Sequence, residues 1–185
     1  MIIRKLFKFE ASHIVRNCYS ERCRKNVHGH SFILELFLQS YTLDRAGMVL
    51  DFGLLKEDVK SFVDCLDHCH FLWSKEETLL NETIKKVNDR WIEFPFNPTS
   101  ENIALYIHTT IETILSKRGN MNSEDCVKVK SVRLHETQSG YAETENGEPL
   151  LSAMRDYSRD IVFSPTIMGL LPPSIYPTTV CQDTL

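Results

Sequence analysis

Apolar side chains occupy most alternate positions in two stretches near the N-terminus of the chain. The first stretch runs from Ile3 to His13 and the second from His28 to Leu38. Alternation with a period of two is typical of a strand that buries one face, so both stretches are predicted as strands. The first strand ends on His13, and His28 and His30 leave the second strand on a single face.

Farther along the chain the apolar spacing changes to three and four residues, which predicts two amphipathic helices. The first spans about residues 51–64. The second follows Pro98, with Thr99 or Ser100 as its N-cap, and Gly119 is predicted to end it. The predicted buried stripes are Leu55, Val59, Phe62, Val63 and Leu66 in the first helix and Ile103, Ile107, Ile111, Ile114 and Leu115 in the second.

Two short stretches, "VKVKSVRLHE" and "GYAETE", follow the second helix and are predicted as strands. The order of elements is therefore β-β-α-α-β-β through about Glu145. Since each pair of strands is local in sequence, the predicted class is α+β, with a four-stranded antiparallel sheet covered on one face by two helices. We expect residues 1–145 to form one domain.

Two segments fall outside this outline. Residues 74–97 have high helix propensity but weak periodicity, and they are predicted to form a short helix or an insertion. Residues 146–185 contain five of the seven prolines, which argues against a long helix or a central strand there. This C-terminal extension is expected to lie on the domain or on a neighbouring subunit, or to be partly disordered.

Composition narrows the class of protein. The 185 residues carry 21 basic and 25 acidic side chains, a net charge of −4, which argues against broad nucleic-acid binding. No stretch approaches the ~20 consecutive apolar residues of a membrane-spanning helix, and the N-terminus lacks the apolar core of a signal peptide. We therefore expect a cytoplasmic protein without membrane contact, whose six cysteines are free thiols.

His13, His28 and His30 are the strongest candidates for metal ligands. Residues i and i+2 of a strand project to one side about 7 Å apart at Cα, so two imidazoles can converge on one ion. His13, at the end of the other strand, can supply a third ligand. Three histidines with one open position are typical of a catalytic zinc site, because structural sites use four protein ligands. The alternative is that they are ordinary histidines hydrogen-bonded to the backbone.

Cys23 lies in the basic loop that joins the first two strands. A thiolate is a useful base or nucleophile, and the neighbouring charges of Arg22, Arg24 and Lys25 favour that form. The alternative is an ordinary loop thiol, and Cys18 is a competing candidate five residues earlier.

The sequence "CLDHCH" places Asp67 beside His68 at the predicted end of the first helix. A carboxylate paired with an imidazole orients and tunes a proton carrier. Cys65, Cys69 and His70 crowd the same stretch, so a second metal cluster is the alternative, although its mixed spacing matches no common pattern.

Glu136 ends a late predicted strand in the sequence "HET". A carboxylate there can accept two parallel hydrogen bonds from an amino-pyrimidinone edge such as that of a pterin. Thr99 and Ser100, at a helix N-terminus, can add hydroxyl and N–H contacts, although helix capping explains both residues by itself.

Together these motifs resemble the 6-pyruvoyl-tetrahydropterin synthase family, whose bacterial members include the 6-carboxy-tetrahydropterin synthase of queuosine biosynthesis. The resemblance runs from about Phe7 to Glu143. It depends on "FEASH", "C…HGHSF", "GMVLDFGLLK", "LDH", "PTSEN" and "HET", which occur in that order. Six ordered motifs are far more specific than any one of them.

The resemblance implies a tunnelling fold, or T-fold, whose subunits join into barrels and commonly stack as hexamers, with active sites at subunit interfaces. It also implies Zn²⁺ as cofactor. The family motifs place the zinc ligands at His13, His28 and His30, the base at Cys23, the proton-carrying pair at Asp67 and His68, the pterin anchor at Glu136, and further pocket residues at Thr99 and Ser100.

The substrate implied by the resemblance is 7,8-dihydroneopterin triphosphate, with the zinc as Lewis acid at its side-chain hydroxyls. The sequences "GHSF" and "VLDFGLLK" favour the enzyme that forms 6-carboxy-tetrahydropterin, acetaldehyde and triphosphate. The first alternative is the 6-pyruvoyl-tetrahydropterin synthase, which eliminates triphosphate without cutting the side chain. A non-catalytic pterin-binding protein and a zinc-dependent hydrolase are the others.

The chain departs from the family pattern in three places. Four residues separate Cys23 from His28, whereas the bacterial queuosine enzymes usually have three and the pyruvoyl enzymes five. Residues 74–97 make a longer link than usual, and the proline-rich extension has no counterpart in the compact members. The cysteine spacing leaves open both the product and the choice between Cys23 and Cys18.

Overall fold

A computed structural model describes residues 1–118, 122–123 and 127–175 of the chain. Within these residues the strands form one seven-stranded sheet. The strands are β1 (Ile2–His13), β2 (His28–Gln39), β3 (Cys69–Trp73), β4 (Trp91–Phe94), β5 (Lys128–His135), β6 (Tyr141–Glu145) and β7 (Val162–Phe163). Their spatial order is β6-β5-β2-β1-β3-β4-β7.

Six α-helices connect or cover these strands in the described part of the chain. They are α1 (Glu21–Lys25), α2 (Asp58–Leu66), α3 (Thr78–Val87), α4 (Ser100–Lys117), α5 (Pro149–Tyr157) and α6 (Pro165–Met168). None of these described helices combines the length and hydropathy needed to cross a bilayer.

The four strands predicted from the sequence form the antiparallel half of the sheet. β1 pairs with β2 over its whole length, from Ile2 opposite Gln39 to His13 opposite His28. β5 pairs with the other side of β2, and β6 pairs with β5. α2 packs against β1, and α4 packs against β5 and β6. The α+β class predicted from the sequence is confirmed.

The sheet is wider than the four strands predicted. β3 continues it in parallel with the end of β1, β4 is parallel to β3, and β7 is antiparallel to β4. The sequence "CHFLW" of β3 gave no strand signal because it is a short apolar run without alternation, as expected for a strand covered on both faces. The first predicted helix also begins later, at Asp58, after a single 3₁₀ turn at Leu54–Lys56.

Residues 74–97 contain both the predicted short helix, α3, and the unexpected strand β4. Leu80 and Ile84 of α3 lie against His70 and Leu72 of β3. Because His70 pairs with Ser12 in the parallel ladder, α3 covers the sheet face opposite to that of Ala11 and His13.

The C-terminal extension, as far as Ile175, packs on the domain. Leu151, Met154 and Ile167 are at most 2% exposed and belong to the same apolar core as α2 and α4. Pro149 and Pro165 occupy the first turns of α5 and α6, where a missing backbone N–H costs nothing. Residues 176–185 and the predicted helix stop at Gly119 lie outside the described residues.

Candidate metal centre and catalytic residues

The β1–β2 hairpin brings His13, His28 and His30 together. His13 lies directly opposite His28, and His30 lies opposite Ala11, so the three imidazoles share one face of the sheet. Their ligand nitrogens all lie within 4.8 Å of one another. In the described part of the chain, this is the single cluster of three or more histidine, cysteine or carboxylate side chains able to hold a metal ion.

Backbone carbonyls fix the tautomers of two of these histidines. The Nδ1–H of His13 donates to the Pro98 carbonyl at 2.8 Å, and the Nδ1–H of His28 donates to the Asn26 carbonyl at 3.1 Å. A carbonyl only accepts, so each Nε2 keeps its lone pair. This is the arrangement that orients metal-ligating histidines in proteins.

The Glu136 carboxylate faces two of the three histidines. Its Oε1 lies 3.5 Å from Nε2 of His13 and 3.7 Å from Nε2 of His30. Both Nε2 atoms are buried without a hydrogen-bond partner among the described residues. The Nε2 lone pair of His13 and the Glu136 carboxylate repel each other unless a cation lies between them, so the donor set fits a divalent metal.

Burial keeps the imidazoles of His13 and His30 neutral, which is the form that binds a metal ion. It lowers the pKa of His13 to about 4, against the smaller opposing effects of the Pro98 hydrogen bond and the Glu136 charge. Burial also lowers the pKa of His30. Both rings are therefore neutral at pH 7 and have no proton to lose before they coordinate an ion.

The N-terminus of α4 adjoins this cluster through Pro98. Thr99 is the N-cap, and its hydroxyl accepts from the Asn102 amide at 3.3 Å. The Ser100 hydroxyl is buried and makes no hydrogen bond within the described residues. Capping thus accounts for Thr99, whereas Ser100 keeps a free hydroxyl.

The loop that carries Cys23 is tied to the end of β1. The Val15 amide donates to the Cys23 carbonyl at 3.1 Å, two residues beyond His13. Arg16 donates to the Arg24 carbonyl and, through Nε, to Glu76, both at 2.5 Å. The Cys23 side chain is half-buried in α1, and no hydrogen bond joins its thiol to any described residue.

Asp67 and His68 form the pair predicted from the sequence. Oδ2 of Asp67 lies 2.8 Å from Nδ1 of His68, and its Oδ1 accepts from the Glu10 amide at 2.7 Å. Burial pushes the pKa of Asp67 upward, but the hydrogen bonds from Glu10 and His68 bring it below its usual value. His68 has a φ of 58°, in the left-handed region that non-glycine residues seldom adopt outside special sites.

This pair makes no direct contact with the three histidines in the described structure. His68 lines a cavity of about 300 Å³ with Glu10, Ser12, Gly29 and Ser31, and the cavity also reaches His30. Glu10, Ser12 and Ser31 alternate along their strands with the residues of the metal cluster, so the cavity opens on the opposite face of the sheet. Glu136 faces His13 and His30, whereas no hydrogen bond, ion pair or ring contact joins the Asp67–His68 pair to the three histidines in the described structure.

The alternative second metal cluster around Cys65 is not formed in the described structure. Burial raises the pKa of the Cys65 thiol to about 11 and that of Cys69 to about 12. The Cys69 thiol donates to the Cys65 carbonyl at 2.9 Å, and His70 lies on the other face, 2.7 Å from the Ser12 hydroxyl. These are protonated core thiols without metal-binding character.

Sequence reasoning missed the residues that support the site. The Asn97 side chain donates to the Arg16 carbonyl at 2.6 Å and accepts from the Arg16 amide at 3.2 Å, which fixes the start of the loop. The Asn-Pro step before the α4 cap was a signal for a special turn at Asn97. No local signal in the sequence marks Glu76, because its ion-pair partner, Arg16, is 60 residues away in the chain.

The fold and the site define an α+β protein with a cluster of three histidines, able to hold a metal ion, at the end of a β-hairpin. Residues 2–147 match the family model described as 6-pyruvoyl tetrahydropterin synthase. The chain belongs to that family, and the resemblance inferred from its motifs is confirmed.

Curated relatives carry the name 6-carboxy-5,6,7,8-tetrahydropterin synthase. The protein of that name from Helicobacter pylori J99 is 43% identical over 144 residues, which cover 78% of this chain and 72% of the relative. The Rickettsia typhi protein of that name is 29% identical over 136 residues, covering 73% of this chain and 93% of the relative.

Solved structures support the same fold at lower identity. An uncharacterized protein from Wolinella succinogenes superposes with a TM-score of 0.64 at 22% identity, covering 79% of this chain and 98% of its own. The 6-pyruvoyl tetrahydropterin synthase of Caenorhabditis elegans superposes with a TM-score of 0.54 at 20% identity, covering 80% and 96%. The predicted T-fold is thereby confirmed.

Proposed function

We propose that this chain is a zinc-dependent 6-carboxy-5,6,7,8-tetrahydropterin synthase. It would convert 7,8-dihydroneopterin triphosphate to 6-carboxy-tetrahydropterin, acetaldehyde and triphosphate, a step toward 7-deazaguanine products such as queuosine. The observation that carries the proposal is the cluster of three histidines, two of which face Glu136, in a chain 43% identical to a relative of that name.

His13, His28 and His30 would hold the metal. Three imidazoles and a nearby carboxylate are a typical donor set for zinc. Bound zinc would supply Lewis acidity at the substrate's side-chain hydroxyls, so that the adjacent C–H bonds lose protons more readily. The Pro98 and Asn26 carbonyls hold two of the rings in the orientation that this requires.

Cys23 is proposed as the base on one side of the substrate. The hydrogen bond between its carbonyl and the Val15 amide keeps the α1 loop next to the end of β1, where His13 lies. The Arg16–Glu76 ion pair holds the same loop from the outside and belongs to this chain's longer link between helices. The unusual spacing between Cys23 and His28 is accommodated by the short helix α1.

Asp67 and His68 are proposed to carry protons for the metal site of a neighbouring subunit. The absence of any contact between this pair and the histidine cluster of its own chain in the described structure supports this assignment. It agrees with active sites at subunit interfaces, as the family resemblance implies.

A homo-oligomer, with a hexamer as the family's common form, is part of the proposal. On the sheet face opposite to that of His13, several apolar side chains are exposed to solvent. Ile2 is 51% exposed, Leu6 39% and Tyr141 54%. Apolar side chains that are exposed on a sheet face are compatible with a surface that another subunit covers.

Glu136, Ser100 and Thr99 are proposed to bind the pterin ring. Ser100 offers a buried hydroxyl without a partner in the described structure, and Glu136 is 30% exposed at the mouth of the cluster. A carboxylate at that position can accept two parallel N–H bonds from the amino-pyrimidinone edge.

Product analysis of the zinc-loaded protein with 7,8-dihydroneopterin triphosphate tests this function. The proposal predicts 6-carboxy-tetrahydropterin, whereas 6-pyruvoyl-tetrahydropterin would establish the alternative enzyme. Cys23→Ala should lose most of the turnover, at least about 100-fold, while it keeps its metal. Cys18→Ala is the matched control and should keep its turnover. Full turnover in Cys23→Ala would favour a zinc-dependent hydrolase, and pterin binding without any turnover would favour a binding protein.

A further inference from the structure

The turn that carries Asp67 and His68 follows the C-terminus of α2. The helix ends at Leu66, Asp67 is its C-cap, and His68 comes next with a φ of 58°. Helices commonly end with a left-handed residue at this position, but that residue is usually glycine, because a Cβ makes the conformation costly. The chain therefore holds a proposed proton carrier in a strained backbone position, which persists only where surrounding contacts maintain it.

The usual hydrogen bond of such a helix end is replaced here. In most helices that end with a left-handed residue, the amide of that residue donates to a carbonyl of the last helical turn. The His68 amide donates instead to the Glu10 carbonyl of β1, at 2.6 Å. The last carbonyls of α2 therefore take their partners from outside the helix.

Arg90, the residue before β4, supplies those partners. Its Nε donates to the Asp67 carbonyl at 2.8 Å, and its Nη2 donates to the Asp64 carbonyl at 2.6 Å. The Arg90 carbonyl accepts from the His70 amide at 2.9 Å. Because a guanidinium presents its donors in a rigid planar fork, one side chain ties the last turn of α2 to the backbone on both sides of His68.

Arg90 also brings a positive charge to the Asp67 carboxylate. Burial raises the pKa of Asp67, whereas the hydrogen bonds from Glu10 and His68 and the charges of His68 and Arg90 lower it below its ordinary value. An ionised carboxylate only accepts hydrogen bonds, so Nδ1 of His68, at 2.8 Å from Asp67, carries the proton between them. Nε2 of His68 is then the atom left to exchange protons.

We propose that Arg90 is a positioning residue for the Asp67–His68 pair, because its guanidinium fixes the strained turn that directs the His68 ring. The inference rests on the proposed role of the pair as a proton carrier. Among the described residues, the hydrogen bonds of the guanidinium go to carbonyls at the end of α2 and not to the metal ligands, so Arg90 acts through the pair. Arg90 lies in residues 74–97, so part of this longer link gains a function.

Carbon-13 NMR titration of the Asp67 carboxyl in the zinc-loaded full chain tests the positioning without any need for turnover. In Arg90→Gln the pKa of Asp67 should rise toward its ordinary value, because a positive charge is lost and the turn is loosened. Lys86→Gln, at an exposed lysine of α3, is the matched control and should titrate like the wild type. An unchanged Asp67 pKa in Arg90→Gln would overturn the proposal.

Turnover of 7,8-dihydroneopterin triphosphate shows whether the positioning serves catalysis. In Arg90→Gln, kcat should fall at least about tenfold and KM should change less than about twofold, because no substrate contact is removed. Arg90→Lys keeps the charge but cannot bridge two carbonyls with a planar fork, so its kcat should lie between those of wild type and Arg90→Gln. A wild-type kcat in either Arg90 variant would overturn the proposal, and in Arg90→Lys it would mean that charge alone acts.

The two readouts separate this inference from the proposed function. A wild type without turnover would refute the proposed function, whereas the Asp67 titration would still decide whether Arg90 positions the pair. Both measurements are made well below the melting temperature of each variant, so a loss of stability does not imitate a loss of positioning. If Arg90→Gln does not fold, Arg90→Lys carries the same comparison, with a smaller rise of the Asp67 pKa expected and an unchanged pKa as the contrary result.

Discussion

The Nδ1–H of His13 donates to the carbonyl of Pro98 at 2.8 Å, across 85 residues of sequence. This bond joins the end of β1 to the turn that begins α4, and it leaves Nε2 of His13 facing His28, His30 and Glu136. One contact therefore links the proposed metal ligand His13 to the turn that carries the proposed pterin-binding residues Thr99 and Ser100.

His28→Ala should abolish stoichiometric metal binding. The variant removes one of three converging nitrogens, and two histidines with a carboxylate leave a much weaker site. His70→Asn is the matched control, because His70 is a buried histidine on the opposite face and should not affect the metal. Elemental analysis after dialysis should give about one metal per chain for wild type and His70→Asn, and close to none for His28→Ala. Equal metal in all three proteins would refute the assignment of the cluster.

Mixing two inactive variants should restore activity if Asp67 and His68 serve a neighbouring subunit. A hybrid of His28→Ala and His68→Ala chains contains sites with intact metal ligands from one subunit and an intact His68 from another. Hybrids of His13→Ala and His28→Ala chains are the control, because both variants damage the same cluster and no complete site can form. If the first mixture stays as inactive as its parents after subunit exchange, Asp67 and His68 do not act across an interface.

The metal-free protein should lose stability as the pH falls from about 6.5 to about 4. Burial lowers the pKa of His13 and of His70 to about 4, against 6.5 for an ordinary histidine. Across that window the unfolded chain binds protons that the native state excludes, so the free energy of unfolding decreases, by on the order of 2 to 3 kcal/mol per histidine.

Urea titrations at pH 7 and pH 4.5 in the presence of a chelator measure this effect. His70→Asn removes one of the two imidazoles whose pKa burial lowers to about 4, so it should lose clearly less stability than the wild type between the two pH values. The absolute stability of the variant does not matter, since only the difference between the two pH values is compared. Equal losses in both proteins would contradict the contribution of His70.

Leu151→Ala should show that the C-terminal extension stabilises the domain. Leu151 is 1% exposed in the shared core, and truncation of a buried leucine costs about 2 to 5 kcal/mol of unfolding free energy. The neighbouring Leu150 is 56% exposed, so Leu150→Ala should change stability by no more than about 0.5 kcal/mol. Chemical denaturation compares the two. A similar, small effect of both variants would mean that the extension is only loosely attached.

The histidine cluster and the Asp67–His68 pair were predictable from the sequence. Strand alternation in β1 and β2 fixes the face of each side chain, so the convergence of His13, His28 and His30 follows from the residue pattern alone. The Asp67–His68 pair was also predictable, because adjacent residues can meet without any knowledge of the fold.

Long-range pairing accounts for what the sequence did not reveal. Glu136 reaches the histidines because Ile33 of β2 pairs with His135 of β5, a register that no local pattern determines. β3 and β4 were missed because their apolar runs are short, and β4 also lies in the segment 74–97, which has helical character. That the Asp67–His68 pair lies on the other face of the sheet follows from the parallel pairing of β1 and β3, which joins residues far apart in the chain.

The ratio of acetaldehyde to triphosphate released during turnover of 7,8-dihydroneopterin triphosphate tests the central claim most directly. Both candidate enzymes release triphosphate, but only the 6-carboxy synthase cuts the carbon side chain. The zinc-loaded wild type should release one acetaldehyde for each triphosphate. Release of triphosphate without acetaldehyde would contradict the proposed function and assign the chain to the 6-pyruvoyl enzymes.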